Sequence, residues 1–496
     1  MPDFRAYGEN NIGSADGGGC PYLTKEDGEP LCGAISTAES FIHCESPGEK
    51  AALNAVYPLE GFGCVVVRTR PLPDRHQPYN LSLEFANGRK ALIDDRRQAW
   101  QKQGFTPSRI TREEFERAET VLRKAGALES SNPPKCAALA DKALKRLMWA
   151  GEALAIEAGT RGIEAKAAAP GPRMLLGGNY FSPAMGDAYN SHFEQLFNFA
   201  IVPFHWSSFE PRQGAQQWAA VDQIVDWLKA RGFTLKGHPL VWFHEPCYPK
   251  WACRETFDEV KQLNVERVEQ VVGRCDSRIA MWDVVNEAHD IDRANMFGFQ
   301  RSRLLEVTES TLAAARRAGP SARLAVGISM PFAEYAAASR GKLSPCEYIR
   351  LCKGRGVEFD IIGVQFYCGG ELGYCRDLLE VSAVLDRFAE FGKPLHVTQM
   401  GCPSVPCPVN GRQAASHQWH GKWSESTQAE WAEKFYTVCC GKSYVEAVTW
   451  WDFADYSGAF ITNWGLLRRD FTPKPAYGRL LDIARNLGVK REQQPA

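Results

Sequence analysis

Along residues 174–451 the apolar positions fall into short, near-continuous runs separated by longer amphipathic stretches. Eight runs, at 174–180, 199–206, 234–240, 279–285, 322–328, 360–366, 394–399 and 447–451, have the length and character of strands buried on both faces. Between them, stretches such as 218–231 and 257–272 repeat apolar residues at helical spacing. Eight β/α units over about 320 residues predict an α/β fold of the (β/α)8, or TIM-barrel, type. An open doubly wound sheet is the competing arrangement, but no G-x-G-x-x-G follows the first run.

The first part of the chain follows a different pattern. Residues 1–50 are rich in Gly, Ser, Glu and Pro without periodicity and read as loop or extended arm. The runs 64–69 and 80–85, an Asn87-Gly88 turn and residues 91–93 read as a small antiparallel sheet. Two helices are expected next, over 113–126 behind a Thr111 cap and over roughly 135–158. Ala167-Ala168-Ala169-Pro170-Gly171-Pro172 reads as a linker. The expected division is therefore a β-rich domain with two helices over 1–170 and the barrel over 171–496. The first is read as a buttress, with an accessory ligand-binding module as the alternative.

Composition narrows the classes of function. The 496 residues carry a formal net charge of −1, which argues against a nucleic-acid partner or a polybasic membrane surface. No apolar run has the roughly 18 residues that a membrane span needs. Met1-Pro2-Asp3-Phe4-Arg5 has no apolar signal core, which reads as cytoplasmic, or as secreted or periplasmic if a leader has been removed. Fourteen Trp suit a site that stacks flat rings, although large cores also use Trp.

Barrel chemistry gathers at the C-terminal ends of strands. The third run ends in Gly237-His238-Pro239-Leu240-Val241-Trp242, the fourth in Trp282-Asp283-Val284-Val285-Asn286-Glu287, and the eighth in Thr449-Trp450-Trp451. A carboxyl, an amide, a His and several indoles at neighbouring strand ends make a polar cleft with aromatic walls, as a sugar requires. Trp450 and Trp451 are adjacent, so their side chains point to opposite faces. Trp451 is assigned to the cleft; Trp242 and Trp464 divide evenly between sugar platform and core.

These motifs resemble glycoside hydrolase family 10, the retaining endo-β-1,4-xylanases, over about residues 174–480. Gly237–Trp242 is similar to the family's G-H-T-L-V-W, residues 282–287 match W-D-V-V-N-E, and Pro473-Lys474-Pro475-Ala476-Tyr477 is similar to its C-terminal signature. Retaining hydrolysis uses two carboxyls about 5–5.5 Å apart, an acid/base and a nucleophile. By resemblance Glu287 is the acid/base and Asn286 hydrogen-bonds the sugar 2-hydroxyl. His238, Trp242, Glu245, Gln365, Tyr367, Trp451 and His205 contact or position substrate. The reaction implied needs no metal and no organic cofactor, and the implied partner is a β-linked polysaccharide or oligosaccharide.

Several positions depart from the family. The nucleophile's T-E is Thr398-Gln399 here, and an amide has neither the charge nor the nucleophilicity of a carboxylate. We read Gln399 as a glutamate replaced by its amide in a glycosidase, so the chain as written is expected to be nearly inactive. The alternatives are a glycan-binding barrel without turnover, or transglycosylation or metal-assisted chemistry on the same barrel. The polar residues that hold the sugar at subsite −2 in the family's P-E-N-E-M-K-W are absent from Ala200-Ile201-Val202-Pro203-Phe204-His205-Trp206. The His after V-W is Phe243, and Tyr367 stands where the family's sixth strand has a His that supports the nucleophile. Xylan is thus the substrate suggested by resemblance, with other β-linked glycans open.

The sixteen Cys include the close pairs Cys247/Cys253, Cys368/Cys375, Cys402/Cys407 and Cys439/Cys440. Loop-stapling disulfides are expected, with metal ligation weakly supported by the spacing.

Overall fold

The computed structural model describes residues 2–7, 21–38, 40–45, 50–254, 256–369, 375–406, 419–456 and 462–489. Its first part contains β1 (Asp3–Arg5), β2 (Tyr22–Thr24), β3 (Pro30–Leu31), β4 (Ala34–Ala38), β5 (Phe41–Glu45), β6 (Ala52–Leu59), β7 (Gly63–Arg68) and β8 (Tyr79–Asn80). They form two sheets, in the orders β4-β5-β1-β8 and β3-β2-β6-β7. The described part of residues 1–50 therefore carries strands where loop was expected.

Three helices follow instead of two: α1 (Leu81–Gln101), α2 (Arg109–Gly126) and α3 (Pro133–Ala168). Asn80 apart, the expected strands at 80–85 and 91–93 and the Asn87-Gly88 turn all belong to α1. Leu81, Leu83 and Phe85 alternate like a strand, but Asn80 caps a helix by accepting from the Leu83 N–H. Gly88 serves close packing rather than a turn: a Cβ there would lie 2.1 Å from the Arg68 carbonyl oxygen. On α2 the cap is Ser108, not Thr111, whose hydroxyl donates to Glu157 at 2.6 Å. Helix α3 runs through the first two alanines of the expected linker.

The eight predicted runs each overlap one barrel strand, in four cases with one or two residues of the strand beyond the run. These are β9 (Leu175–Asn179), β10 (Phe199–Pro203), β11 (Thr234–His238), β12 (Met281–Asn286), β13 (Arg323–Ile328), β14 (Ile361–Tyr367), β15 (Leu395–Gly401) and β16 (Val445–Trp450). All pair in parallel in chain order, and β16 closes on β9. Around them lie α4 (Asp187–Leu196), a short α5 (Trp206–Phe209), α6 (Trp218–Ala230), α7 (Phe257–Arg274) and α8 (Arg301–Ala318). The ring is completed by α9 (Pro345–Gly354), α10 (Leu378–Ala389), α11 (Glu425–Cys440) and α12 (Pro475–Asn486). The fold is a (β/α)8 barrel. Phe199, Ile201, Met281, Ala325, Ile361 and Ala447 form a buried cluster in its interior, with Leu175 and Trp451 packed against them.

The N-terminal elements dock on the barrel through buried polar contacts. Arg89 of α1 pairs with Asp377, the N-cap of α10, at 2.8 Å, and both are buried. Glu152 of α3 accepts from the Leu378 N–H and the Trp419 indole, and faces His420 at 2.8 Å. Val66 and Cys64 of β7 exchange backbone hydrogen bonds with Cys375, in the connection after β14.

The described cysteines are free thiols, so Cys247/Cys253, Cys368/Cys375 and Cys439/Cys440 are not joined. Cys368 and Cys375 meet as a hydrogen-bonded thiol pair. Cys407 lies outside the described residues. Burial pushes the Cys439 and Cys440 thiols up, which suits small core residues rather than reactive thiolates.

Candidate active site

Strand side chains alternate, so residues three apart normally face opposite ways and a one-residue slip reverses the facing. Among the slips in this barrel, two bear on the site. Pairing of β12 with β13 shifts between Asp283 and Val285, and pairing of β14 with β15 shifts at Gln365, which aligns with Gln399. As a result Asp283 and Asn286 both reach polar partners inside the barrel, and Gln399 turns to the mouth. Bulges of this kind commonly re-aim side chains beside active sites.

Glu287 follows β12 in the left-handed region, at φ 59°, a conformation that costs a non-glycine residue on the order of 1 kcal/mol or more. Its N–H donates to the Gly327 carbonyl at 2.9 Å, which anchors the turn. Its Oε1 accepts from Gln365 Nε2 at 2.7 Å and from Asn286 Nδ2 at 3.2 Å, and its Oε2 accepts from the Trp242 indole at 3.1 Å. Every partner is neutral. Burial pushes the Glu287 carboxyl up to about 7; the Gln365, Trp242 and Asn286 donors oppose the rise and Asp290 adds to it. A carboxyl in that state can carry a proton at neutral pH and release it.

The other wall is built around Gln399. The Tyr367 hydroxyl donates to its Oε1 at 2.6 Å, and its Nε2 lies 3.1 Å from His238 Nε2. His238 Nδ1 is 2.8 Å from Asp283 Oδ2, and Lys236 Nζ is 2.6 Å from Asp283 Oδ1, all fully buried. Burial works against the Asp283 charge, but Lys236 and His238 outweigh it and hold the carboxyl at about 2. The His238 imidazole thus bridges the two groups, Nδ1 towards Asp283 and Nε2 towards the amide.

Strand β14 links the walls. Gln365 holds Glu287 and Tyr367 holds Gln399, from positions two residues apart on one strand, about 6.6 Å along it. Burial pushes the Tyr367 phenol far up, helped by the charges of Asp452 and Glu287.

The remaining expected residues are placed unequally. Trp450 is fully buried and donates to the Trp464 carbonyl at 3.0 Å, whereas Trp451 is half-buried with its ring 5.2 Å from His238. Trp242 is half-buried and stacks on His244 at 4.7 Å. Trp464 is buried, its ring 5.8 Å from Tyr367. His205 lies 5.8 Å from His238 and 6.0 Å from Trp242, and burial pulls its imidazole down to about 3. Glu245 stands apart, exposed on a short turn. Lys236, Asn179 and Asp452 were not singled out from the sequence, and Asp283 was quoted only within a motif. A lysine and an aspartate inside apolar strands were the available signal, since buried charges need partners. Among the described residues no three His, Cys, Asp or Glu gather as a metal-ligand set.

The glycosyl hydrolase family 10 model matches residues 182–483. Endo-1,4-beta-xylanase 3 of Hypocrea jecorina is 29% identical over 292 residues, spanning 56% of this chain and 72% of its own. Endo-1,4-beta-xylanase B of Thermotoga neapolitana is 25% identical over 321 residues, spanning 62% and 86%. Native xylanase 10B from Thermotoga maritima superposes with a TM-score of 0.52 at 22% identity, covering 67% of this chain and 99% of its own, a likeness of fold.

Proposed function

The chain belongs to glycosyl hydrolase family 10, and from that premise we propose that its cleft takes a β-1,4-linked glycan of the xylan type. Turnover by double displacement is held nearly at zero by the amide at position 399. In the family's reaction Glu287 gives its proton to the glycosidic oxygen while a carboxylate attacks the anomeric carbon from the opposite face. Glu287 then takes a proton from the water that releases the sugar. Here the first half is in place: a carboxyl held at about 7 by burial, aligned by three neutral donors. The second half presents a neutral amide whose two ends are satisfied by Tyr367 and His238. An amide cannot balance positive charge developing at the anomeric carbon, yet it keeps the shape that holds a ring.

The observation that carries this reading is the pairing of a protonatable Glu287 with a fully hydrogen-bonded Gln399 through one strand. The xylan assignment is supported by the names of the relatives above. The docking of β7 on the connection after β14 supports reading residues 1–170 as a buttress on the cleft side.

Gln399→Glu tests the proposal. Reducing-end release from β-1,4-xylan should rise at least about 10³-fold over the native chain, the scale on which nucleophile removal acts in covalent catalysis. Proton NMR should show product first as the β-anomer. No gain on xylan, β-1,4-mannan or β-1,4-glucan oligosaccharides would reject it.

A further inference from the structure

Asp452 follows Trp451 at the end of β16 and is buried, 8% exposed. Its Oδ1 accepts from Asn179 Nδ2 at 2.9 Å, and the Tyr456 hydroxyl also donates to it. Glu287 aside, the acidic groups nearby have cations: Asp283 has Lys236, Asp455 has Lys474 at 2.7 Å, and Asp290 lies in the fields of Arg293 and Lys342. Among the described residues Asp452 has no cation partner. A buried anion held only by neutral groups is costly, which marks it as a functional position.

Asn179 supplies an independent sign. It lies four residues beyond Leu175, which faces the barrel interior, so strand alternation aims its side chain into the mouth. It is 7% exposed, and its Oδ1 is buried with no hydrogen-bond partner. Such an acceptor next to a carboxylate suits a ligand that brings two hydroxyl donors side by side.

The location settles which end of a sugar chain it meets. Strand β9 pairs with β10, which carries residues 199–203, and lies one strand beyond β16 from Gln399. The polar residues by which the resembled family holds the glycone are missing from residues 200–206.

We propose that Asp452, Asn179 and Tyr456 form a subsite at the β16–β9 junction that binds the vicinal hydroxyls of an uncharged glycone sugar and disfavours an acidic one. The inference rests on the glycan-binding reading of the cleft. Asp452 and Asn179 accept from two neighbouring hydroxyls, and Tyr456 holds the carboxylate in place. A uronate at the same position meets the Asp452 charge in a poorly solvated pocket.

Calorimetric titration of the native chain with β-1,4-xylotriose, and with the same trisaccharide bearing glucuronic acid on its non-reducing unit, provides the test. The neutral sugar should bind more tightly. Asp452→Asn, matched in shape, should weaken xylotriose roughly tenfold or more and narrow the gap between the two sugars. Asn179→Asp, which adds a second charge, should widen it. Circular dichroism melting of each variant separates a misfolded protein from a changed subsite. An Asp452→Asn variant that folds, binds xylotriose within twofold of native and keeps the same gap overturns the subsite and leaves the cleft reading intact. A native chain that binds neither sugar overturns both.

Discussion

The two walls of the mouth solve opposite electrostatic problems. Glu287 is surrounded by neutral donors, and burial raises its proton affinity to about 7. Around Gln399 a lysine, an aspartate and a histidine are spent on one another, and the group they reach is neutral. Proton donation therefore has its machinery without an ion, whereas the attacking side has charged support without a charged end. The wall around the acid has no cation in contact with it; the wall around Gln399 is built on a buried ion pair, Lys236–Asp283. On the proposed function, the fold keeps the framework of the reaction while the amide at position 399 suspends it.

The largest effect that breaks this comparison is loss of the acid. In the Gln399→Glu background, Glu287→Gln should lower kcat/KM on unactivated xylan by about 10²–10⁴-fold. Aryl glycosides with good leaving groups should lose much less, because they need no proton. In the same background the acid must be protonated to act, so kcat/KM should fall as pH rises through about 7 or above, since a carboxylate at 399 adds to the rise that burial gives Glu287. A flat profile from pH 5 to 9 would remove Glu287 from the role.

Removing the core charge on the other wall should be nearly as severe, though it reads as stability. Asp283→Asn leaves Lys236 buried without its partner, a defect worth about 3–5 kcal/mol. Urea unfolding of the otherwise native chain measures it. The Glu287 carboxyl, which has no contact with Lys236 or Asp283, should keep its titration midpoint in that variant.

Much of this contrast was legible in the sequence, and the illegible part has a common cause. Barrel strands announce themselves because five to seven residues must be apolar on both faces. Glu287 and Gln399 stood out by motif. Alternation alone could not have aimed them, because the slips at β12 and β15 depend on pairing with neighbouring strands. The Lys236–Asp283–His238 relay joins two strands, and Asp452 meets Asn179 across the barrel's closure. Neither pairing leaves a local pattern. The N-terminal region failed for a related reason: three alternating apolar residues at 81–85 fit strand or helix equally. The Asn80 cap and the Gly88 contact with the end of β7 decide the matter in three dimensions.

Tyr367→Phe sharpens the comparison at the next scale down. In the native chain it deletes a bond between neutral groups and should cost about 0.5–1.5 kcal/mol of stability. In Gln399→Glu the same hydroxyl donates to a carboxylate, where the loss is about 1.5–3 kcal/mol, or roughly 10–100-fold in kcat/KM. Equal effects in both backgrounds would mean that position 399 does not carry charge in the second.

The smallest expected effect concerns the balance at Glu287 itself. The Trp242 indole donates to Oε2 at 3.1 Å and so favours the ionised carboxyl against burial, which favours the neutral one. Trp242→Phe removes the donor but keeps an aromatic ring to stack on His244 and to fill the space beside His205. With less to oppose burial, the carboxyl should hold its proton to higher pH. Carboxyl-carbon NMR should therefore place the Glu287 midpoint above its native value, and in Gln399→Glu the alkaline fall in kcat/KM should move up with it. Gln399 has no carboxyl proton to follow, so the native chain isolates the acid wall. A midpoint that falls or stays put would show that the indole does not oppose burial, and that the neutral donors around Glu287 position the acid without setting when it lets its proton go.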